Sequence, residues 1–252
     1  MQLTRSVRSF HLSTGEDPAR VGKQAMLCFA HAGGCASFFR SWQALLSSVT
    51  VHAVQYPGRE DRISDPAAAS LIELADTVAE EILHGEQEYD LFFGHSMGSY
   101  VALEVAHRLQ AAGRGVPAIV VSSAAAPALR PPVPYEKTAD VLEYLTQFEP
   151  LSPEIRQEPE LLDIILDRVK SDLRLVSNYR EYTGKEIESE VFGIVGAEDI
   201  PEIRDGLSGW AAHTSSNLRA HTVPGNHFYL RAEPPTTLIR AALSRALLAT
   251  QD

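Results

Sequence analysis

Short apolar runs alternate with longer helical patterns along most of this 252-residue chain, and that alternation narrows the fold more than any other feature. Residues 26–30, 49–55, 89–93, 118–121, 191–195 and 218–223 read as strands, and residues 38–47, 67–83, 99–112, 204–213 and 235–249 read as helices. Alternation of this kind implies a mainly parallel α/β sheet with helices on both faces. The strands are apolar on successive residues, as expected when both faces are buried. The sequence contains no internal repeat and no low-complexity linker, so one domain spanning residues 1–252 is expected.

One segment breaks the rhythm. Residues 128–182 contain no strand pattern but do contain helical ones. Leu162, Leu166, Val169, Leu173 and Val176 step by four and three, which puts them on one helix face. Pro159 sits where a first-turn proline is tolerated. The expectation is a helical insertion, entered by a proline-rich crossing at residues 129–134, that lies over the carboxyl ends of the strands as a lid. Asp163, Asp167 and Asp172 are assigned to its solvated face.

Composition excludes several function classes. Hydrophobic residues make up 44% and charged residues 22%, so the chain has the means to build a core. The net charge of −11 argues against nucleic-acid binding and against anchoring on anionic lipid. No window approaches a membrane helix, and Met1 to Ser13 lack the apolar core of a secretory signal. Two cysteines cannot staple a chain this long; Cys28 reads as a buried hydrophobe, and a reducing, cytoplasmic setting is expected.

Gly94-His95-Ser96-Met97-Gly98 carries the chemistry. This G-x-S-x-G follows a strand and opens a helix, the context in which a serine is held on a sharp corner with its hydroxyl exposed. A serine needs a base to take its proton, and in this arrangement an acid and then a histidine follow in chain order. His107 falls inside the next helix, His213 at a helix end and His221 within a strand. His227 follows Pro224-Gly225-Asn226 in a loop after a strand and is the expected base. Asp199, in the loop after the strand at 191–195, is the expected acid, with Glu198 as the alternative; its role would be to fix the imidazole tautomer. Asp205 is read as a helix-opening acid. Two oxyanion donors are expected from the backbone N–H groups of Met97 and Ala32, the latter in the glycine turn His31-Ala32-Gly33-Gly34. His31 and His95 lack metal-ligand spacing, and neither metal nor cofactor is expected.

Four runs together resemble the type II thioesterases, the free-standing editing enzymes of polyketide and non-ribosomal peptide synthases. They are residues 29–34 (F-A-H-A-G-G), 55–60 (Q-Y-P-G-R-E), 94–98 (G-H-S-M-G) and 225–228 (G-N-H-F), and the likeness extends from about residue 26 to 230. The resemblance implies an α/β-hydrolase fold with a helical lid. It also implies hydrolysis of acyl groups stalled on the phosphopantetheine arm of an acyl or peptidyl carrier protein, with Ser96, Asp199 and His227 as the triad. The chain departs from the family's usual pattern in having Asn226 before His227, Ala30 before His31, and no basic residue at 122–126. The first two changes spare the reacting groups; the third bears on substrate and partner preference.

Carrier proteins of this kind are acidic, and so is this chain: residues 136–190 hold 14 acidic and 7 basic side chains. Docking is therefore expected on a local basic patch, with Arg40, Arg59, Arg62 and Arg130 as candidates. A start at Met1 with no upstream carrier module leads to the expectation of a free-standing enzyme, monomeric by default. The competing readings are a general carboxylesterase or lipase, a cyclising thioesterase fused to a synthase, and a non-enzymatic hydrolase-like binding protein.

Overall fold

A computed structural model describes residues 6–10 and 24–249. Seven strands form one sheet: β1 (Val7–Ser9), β2 (Gln24–Phe29), β3 (Val49–Val54), β4 (Leu91–His95), β5 (Ala118–Ser122), β6 (Glu190–Gly196) and β7 (Leu218–Val223). Their order is β1-β3-β2-β4-β5-β6-β7, and every neighbouring pair is parallel except β1 with β3. The expected α/β-hydrolase architecture is borne out. β2, β4, β5 and β6 are buried nearly throughout, because helices cover both faces.

Nine α-helices accompany these strands among the described residues. They are α1 (Trp42–Leu45), α2 (Leu71–His84), α3 (Met97–Ala111), α4 (Thr138–Phe148), α5 (Pro153–Gln157), α6 (Pro159–Asn178), α7 (Pro201–Gly206), α8 (Tyr229–Ala232) and α9 (Thr236–Ala249). α2 starts at Ser70, whose hydroxyl accepts the Glu73 N–H at 3.0 Å and so satisfies one of the donors a helix leaves open at its start. It buries Leu71, Leu74, Ala75, Val78 and Ile82, an apolar stripe at helical spacing. α3 is buried on nearly every side, between α2 and the sheet.

Several expectations need correction. β1 was not expected; three half-exposed residues, Val-Arg-Ser, give no apolar run to read. β7 is an edge strand and alternates between partly buried and exposed positions, so it is not covered on both faces. The helix expected over 38–47 is a 3-10 turn at Ala36–Phe39 followed by the single turn α1. The one expected over 204–213 begins at Pro201, where proline's missing N–H costs nothing, and tightens into a 3-10 helix at Leu207–His213. Asp205 therefore lies within α7 and caps nothing. Most of the N-terminal segment read for a signal lies outside the described residues.

The insertion contains α4, α5 and α6 and no strand. Leu166, Val169 and Leu173 pack with Val141 of α4 in a small apolar cluster of their own. Its far end is pinned to α3: Glu104, fully buried, pairs with Lys185 and Arg108 and accepts from the Tyr179 hydroxyl. No described helix is long and apolar enough to cross a membrane.

Candidate active site

The four residues expected to carry the chemistry gather at the carboxyl edge of the parallel strands. Ser96 follows β4, Asp199 follows β6, His227 follows β7 and Ala32 follows β2. The corner at Ser96 is tight because the glycines permit it. A Cβ on Gly98 would lie 2.1 Å from the Phe29 carbonyl oxygen, and one on Gly94 would lie 2.5 Å from that of Gly98. Ser96 itself sits at φ 52° and ψ −120°, a conformation that non-glycine residues adopt only when their surroundings enforce it. Its N–H is held by the Ser122 carbonyl at 2.8 Å. Met97 is the first residue of α3, where backbone N–H groups have no partner within the helix.

His227 and Asp199 form a buried pair. The imidazole Nδ1 lies 3.0 and 3.1 Å from the two carboxylate oxygens, and each residue is at most 4% exposed. Glu198, the alternative acid, is exposed and takes no part. Asp199 is fixed further by accepting the Ile200 N–H at 2.9 Å. Aromatic rings surround the imidazole of His227: Phe148 of α4 at 4.4 Å between centroids, Phe228 at 5.1 Å and His95 at 5.2 Å. Among the described residues Ser96 Oγ makes no hydrogen bond, so no direct bond joins the serine to the imidazole.

His31 and His95 are the neutral neighbours of that imidazole. Burial, with Arg231, His227 and Arg59 nearby, pushes His31 down to about 3. Burial, reinforced by His227, also lowers His95 well below the ordinary histidine value. His95 Nδ1 meets the Ser122 hydroxyl at 3.0 Å, which meets the Tyr229 hydroxyl at 2.8 Å. The three other histidines that follow Ser96 in the chain sit elsewhere: His213 faces the Lys185 carbonyl, and His107 and His221 sit on α3 and β7. Neither cysteine is activated, since burial raises both thiols.

Ala32, Ser96 and Met97 line one narrow cavity of about 40 Å³, walled by Val133, Leu173 and Val176. The insertion thus supplies part of its wall. A wider cavity of about 300 Å³ adjoins it through Pro131 and Tyr144, and carries the carboxylates of Asp140, Glu143 and Glu202.

The assignment of Asp172 to a solvated face is wrong. Asp172 is 3% exposed and forms a two-point ion pair with Arg59, at 2.8 and 2.9 Å. Its Oδ2 also accepts the Gly33 N–H at 2.7 Å. Burial works against the charge on Arg59, yet the bonds to Asp172 hold its pKa above the usual guanidinium value. The Q-Y-P-G-R-E run thereby acquires a physical role. Gln55 accepts the Ala36 N–H, the Tyr56 hydroxyl donates to Ala30 O, Arg59 donates to Gly34 O, and Glu60 accepts from Ser37. All four brace the loop that carries Ala32, and Asp172 ties that loop to α6. The signal for Asp172 was present in the sequence: it lies three residues after Val169 and four before Val176, inside the apolar stripe.

The docking candidates must be revised for the same reason. Arg59 is buried, and Arg62 is committed to Asp65, Ser6 and the Gln55 carbonyl. Arg130 lines the narrow cavity and donates to the Pro127 and Tyr179 carbonyls. Arg40 alone of the four is exposed, with its guanidinium 5.7 Å from the centre of the Phe10 ring.

Comparison with known proteins shows the family. The thioesterase domain family matches residues 24–245. The chain is 32% identical to the thioesterase PikA5 of Streptomyces venezuelae, over 95% of this chain and 94% of that protein. It is 33% identical to the medium-chain S-acyl fatty acid synthase thioesterase of Rattus norvegicus, over 88% and 87% of the two chains. The solved structure of BorB, a type II thioesterase from the borrelidin biosynthetic cluster, superposes with a TM-score of 0.80 at 27% identity, covering 94% of this chain and 97% of that one. The resemblance to type II thioesterases read from the sequence is borne out: the chain belongs to the thioesterase domain family and is a hydrolase acting on thioesters.

Proposed function

We propose that this enzyme removes acyl groups from the phosphopantetheine arm of acyl or peptidyl carrier proteins in polyketide or non-ribosomal peptide biosynthesis, with Ser96, His227 and Asp199 as its triad. The observation that carries the proposal is the buried Asp199–His227 pair set at the same sheet edge as the strained Ser96 corner. Asp199 holds the Nδ1–H, which leaves Nε2 free to act as base. Ser96 Oγ attacks the thioester carbonyl while His227 takes its proton. The N–H groups of Ala32 and Met97 receive the oxyanion, and each such donor is worth about 3–4 kcal/mol of barrier. The C–S bond breaks, His227 returns the proton to the thiolate, and an acyl-serine remains. His227 then deprotonates water, which attacks the acyl-serine; the bond from the acyl carbon to Ser96 Oγ breaks, His227 returns the proton to Oγ, and the free acid leaves. A thioester suits this machinery because sulfur donates weakly into the carbonyl and leaves readily. The reaction calls for no metal and no cofactor of the enzyme's own.

The insertion at 128–182 serves as a lid in this reading. It reaches the base through Phe148 and the oxyanion loop through Asp172, so its position bears on both. The wider cavity, with its three carboxylates, repels the phosphate of the arm; the arm enters elsewhere, and Arg40 is the remaining candidate for docking the acidic carrier. The enzyme works as a cytoplasmic monomer in this reading.

Intact-mass measurement of a carrier protein loaded with several short acyl groups tests the proposal. The acyl mass is lost on addition of the enzyme, and the bare phosphopantetheinyl carrier returns. Acyl carriers that stay intact while simple aryl esters are hydrolysed would instead establish a general esterase.

A further inference from the structure

Ser123 is a polar group that the proposed hydrolysis leaves unused. It is fully buried, and its hydroxyl has no hydrogen-bond partner among the described residues. Its backbone sits at φ 47°, a region that suits glycine far better than serine. Both features work against stability: glycine would remove both, and alanine the orphaned hydroxyl. A serine retained under two penalties points to a use for its side chain.

The place of that side chain indicates the use. Ser123 lines the narrow cavity together with Ser96, Ala32 and Met97. It follows Ser122, whose carbonyl holds the Ser96 N–H at 2.8 Å, so it stands one peptide link from the nucleophile's anchor. An acyl group on Ser96 would enter the same cavity that Ser123 lines. Two other polar side chains on the cavity wall are already engaged: the Tyr100 hydroxyl donates to Ala125 O at 3.0 Å, and Arg130 donates to two backbone carbonyls. Val133, Leu173 and Val176 supply apolar wall.

We propose that Ser123 is a specificity-determining residue whose hydroxyl bonds an oxygen substituent near the thioester end of the acyl chain, so that hydroxyacyl and ketoacyl thioesters are favoured over unsubstituted alkanoyl ones. The inference rests on the thioesterase reading above and names the substrate class of that site. A pocket built to bond a substrate oxygen discriminates against the analogue lacking it, because its own polar group is then buried unpaired.

The test compares 3-hydroxybutyryl and butyryl thioesters of N-acetylcysteamine with the native enzyme, Ser123→Ala and Ser123→Gly. The native enzyme prefers the hydroxyacyl substrate in kcat/KM by about tenfold or more, and in both variants the ratio falls to within about threefold of one. Glycine accepts the positive φ, so at least one variant keeps the backbone. Calorimetric binding of both compounds to Ser96→Ala, with and without Ser123→Ala, reads the same discrimination without turnover. A native ratio near one, or a preference that survives in both variants and in binding, overturns the role of Ser123. Failure of the native enzyme to hydrolyse either compound overturns the hydrolytic reading instead, and the binding comparison still decides Ser123.

Discussion

Removing the Asp172 carboxylate tests whether α6 and the loop carrying Ala32 are joined as described. Asp172→Ala leaves the Arg59 guanidinium buried without a counter-charge and the Gly33 N–H without an acceptor. Breaking a buried ion pair from one side costs about 3–5 kcal/mol, and an orphaned N–H adds about 1–3 kcal/mol. Against a total stability of about 5–15 kcal/mol, that is a large fraction. Urea unfolding of Asp172→Ala should therefore show a loss of at least about 3 kcal/mol. Arg59→Ala on the same background should cost much less than it does alone, since the two charges no longer need one another. Replacing both residues with apolar ones, Arg59→Met with Asp172→Leu, should restore most of the stability, because the desolvation penalty disappears. Turnover should stay low in that variant, since the loop bearing Ala32 has lost its anchor at Gly33. A loss below about 1 kcal/mol for Asp172→Ala, or strict additivity of the two alanine variants, would refute the reasoning.

Three further outcomes follow from the same geometry. Asp199→Asn should lower kcat by about 10³–10⁴ with the fold intact, because the amide no longer fixes the productive tautomer of His227; steady-state kinetics beside a circular dichroism melt separates the two effects. His95 is buried with its pKa well below the ordinary value, so the unfolded chain binds a proton that the folded one refuses; stability is full above about pH 6.5 and falls by up to about 1.4 kcal/mol per pH unit below it. His31 steepens that slope, and His95→Asn should flatten it by about one proton in urea titrations at pH 7, 6 and 5. Gly98→Ala drives a methyl group into the Phe29 carbonyl and should cost about 3 kcal/mol or prevent folding, read from the soluble yield and the melting temperature.

The parallel core and the serine corner were legible because both write themselves into local sequence. Buried parallel strands are apolar without alternation, and a strand–glycine–serine–glycine–helix run has few other uses. Asp199 stands out because it follows such a strand, whereas His227 follows the alternating edge strand β7 and stands out by its glycine loop. β1 does not, since three residues on an exposed edge carry no periodic signal. Arg59 and Asp172 were misplaced for a different reason. Charged residues are normally solvated, and only their partnership across 113 positions makes burial possible. The position of Asp172 within the apolar stripe was visible, but the guanidinium that receives it was not. Ser123 left no trace at all: its meaning lies in a positive φ and a missing partner, neither of which is written in residue order.

Labelling with a fluorophosphonate, followed by peptide mass mapping, tests the central claim most directly. Ser96 should carry the adduct in the native protein, and His227→Ala should slow its formation by orders of magnitude while leaving the fold unchanged. An adduct on another residue, or equal labelling of Ser96 with and without the imidazole of His227, would contradict the account.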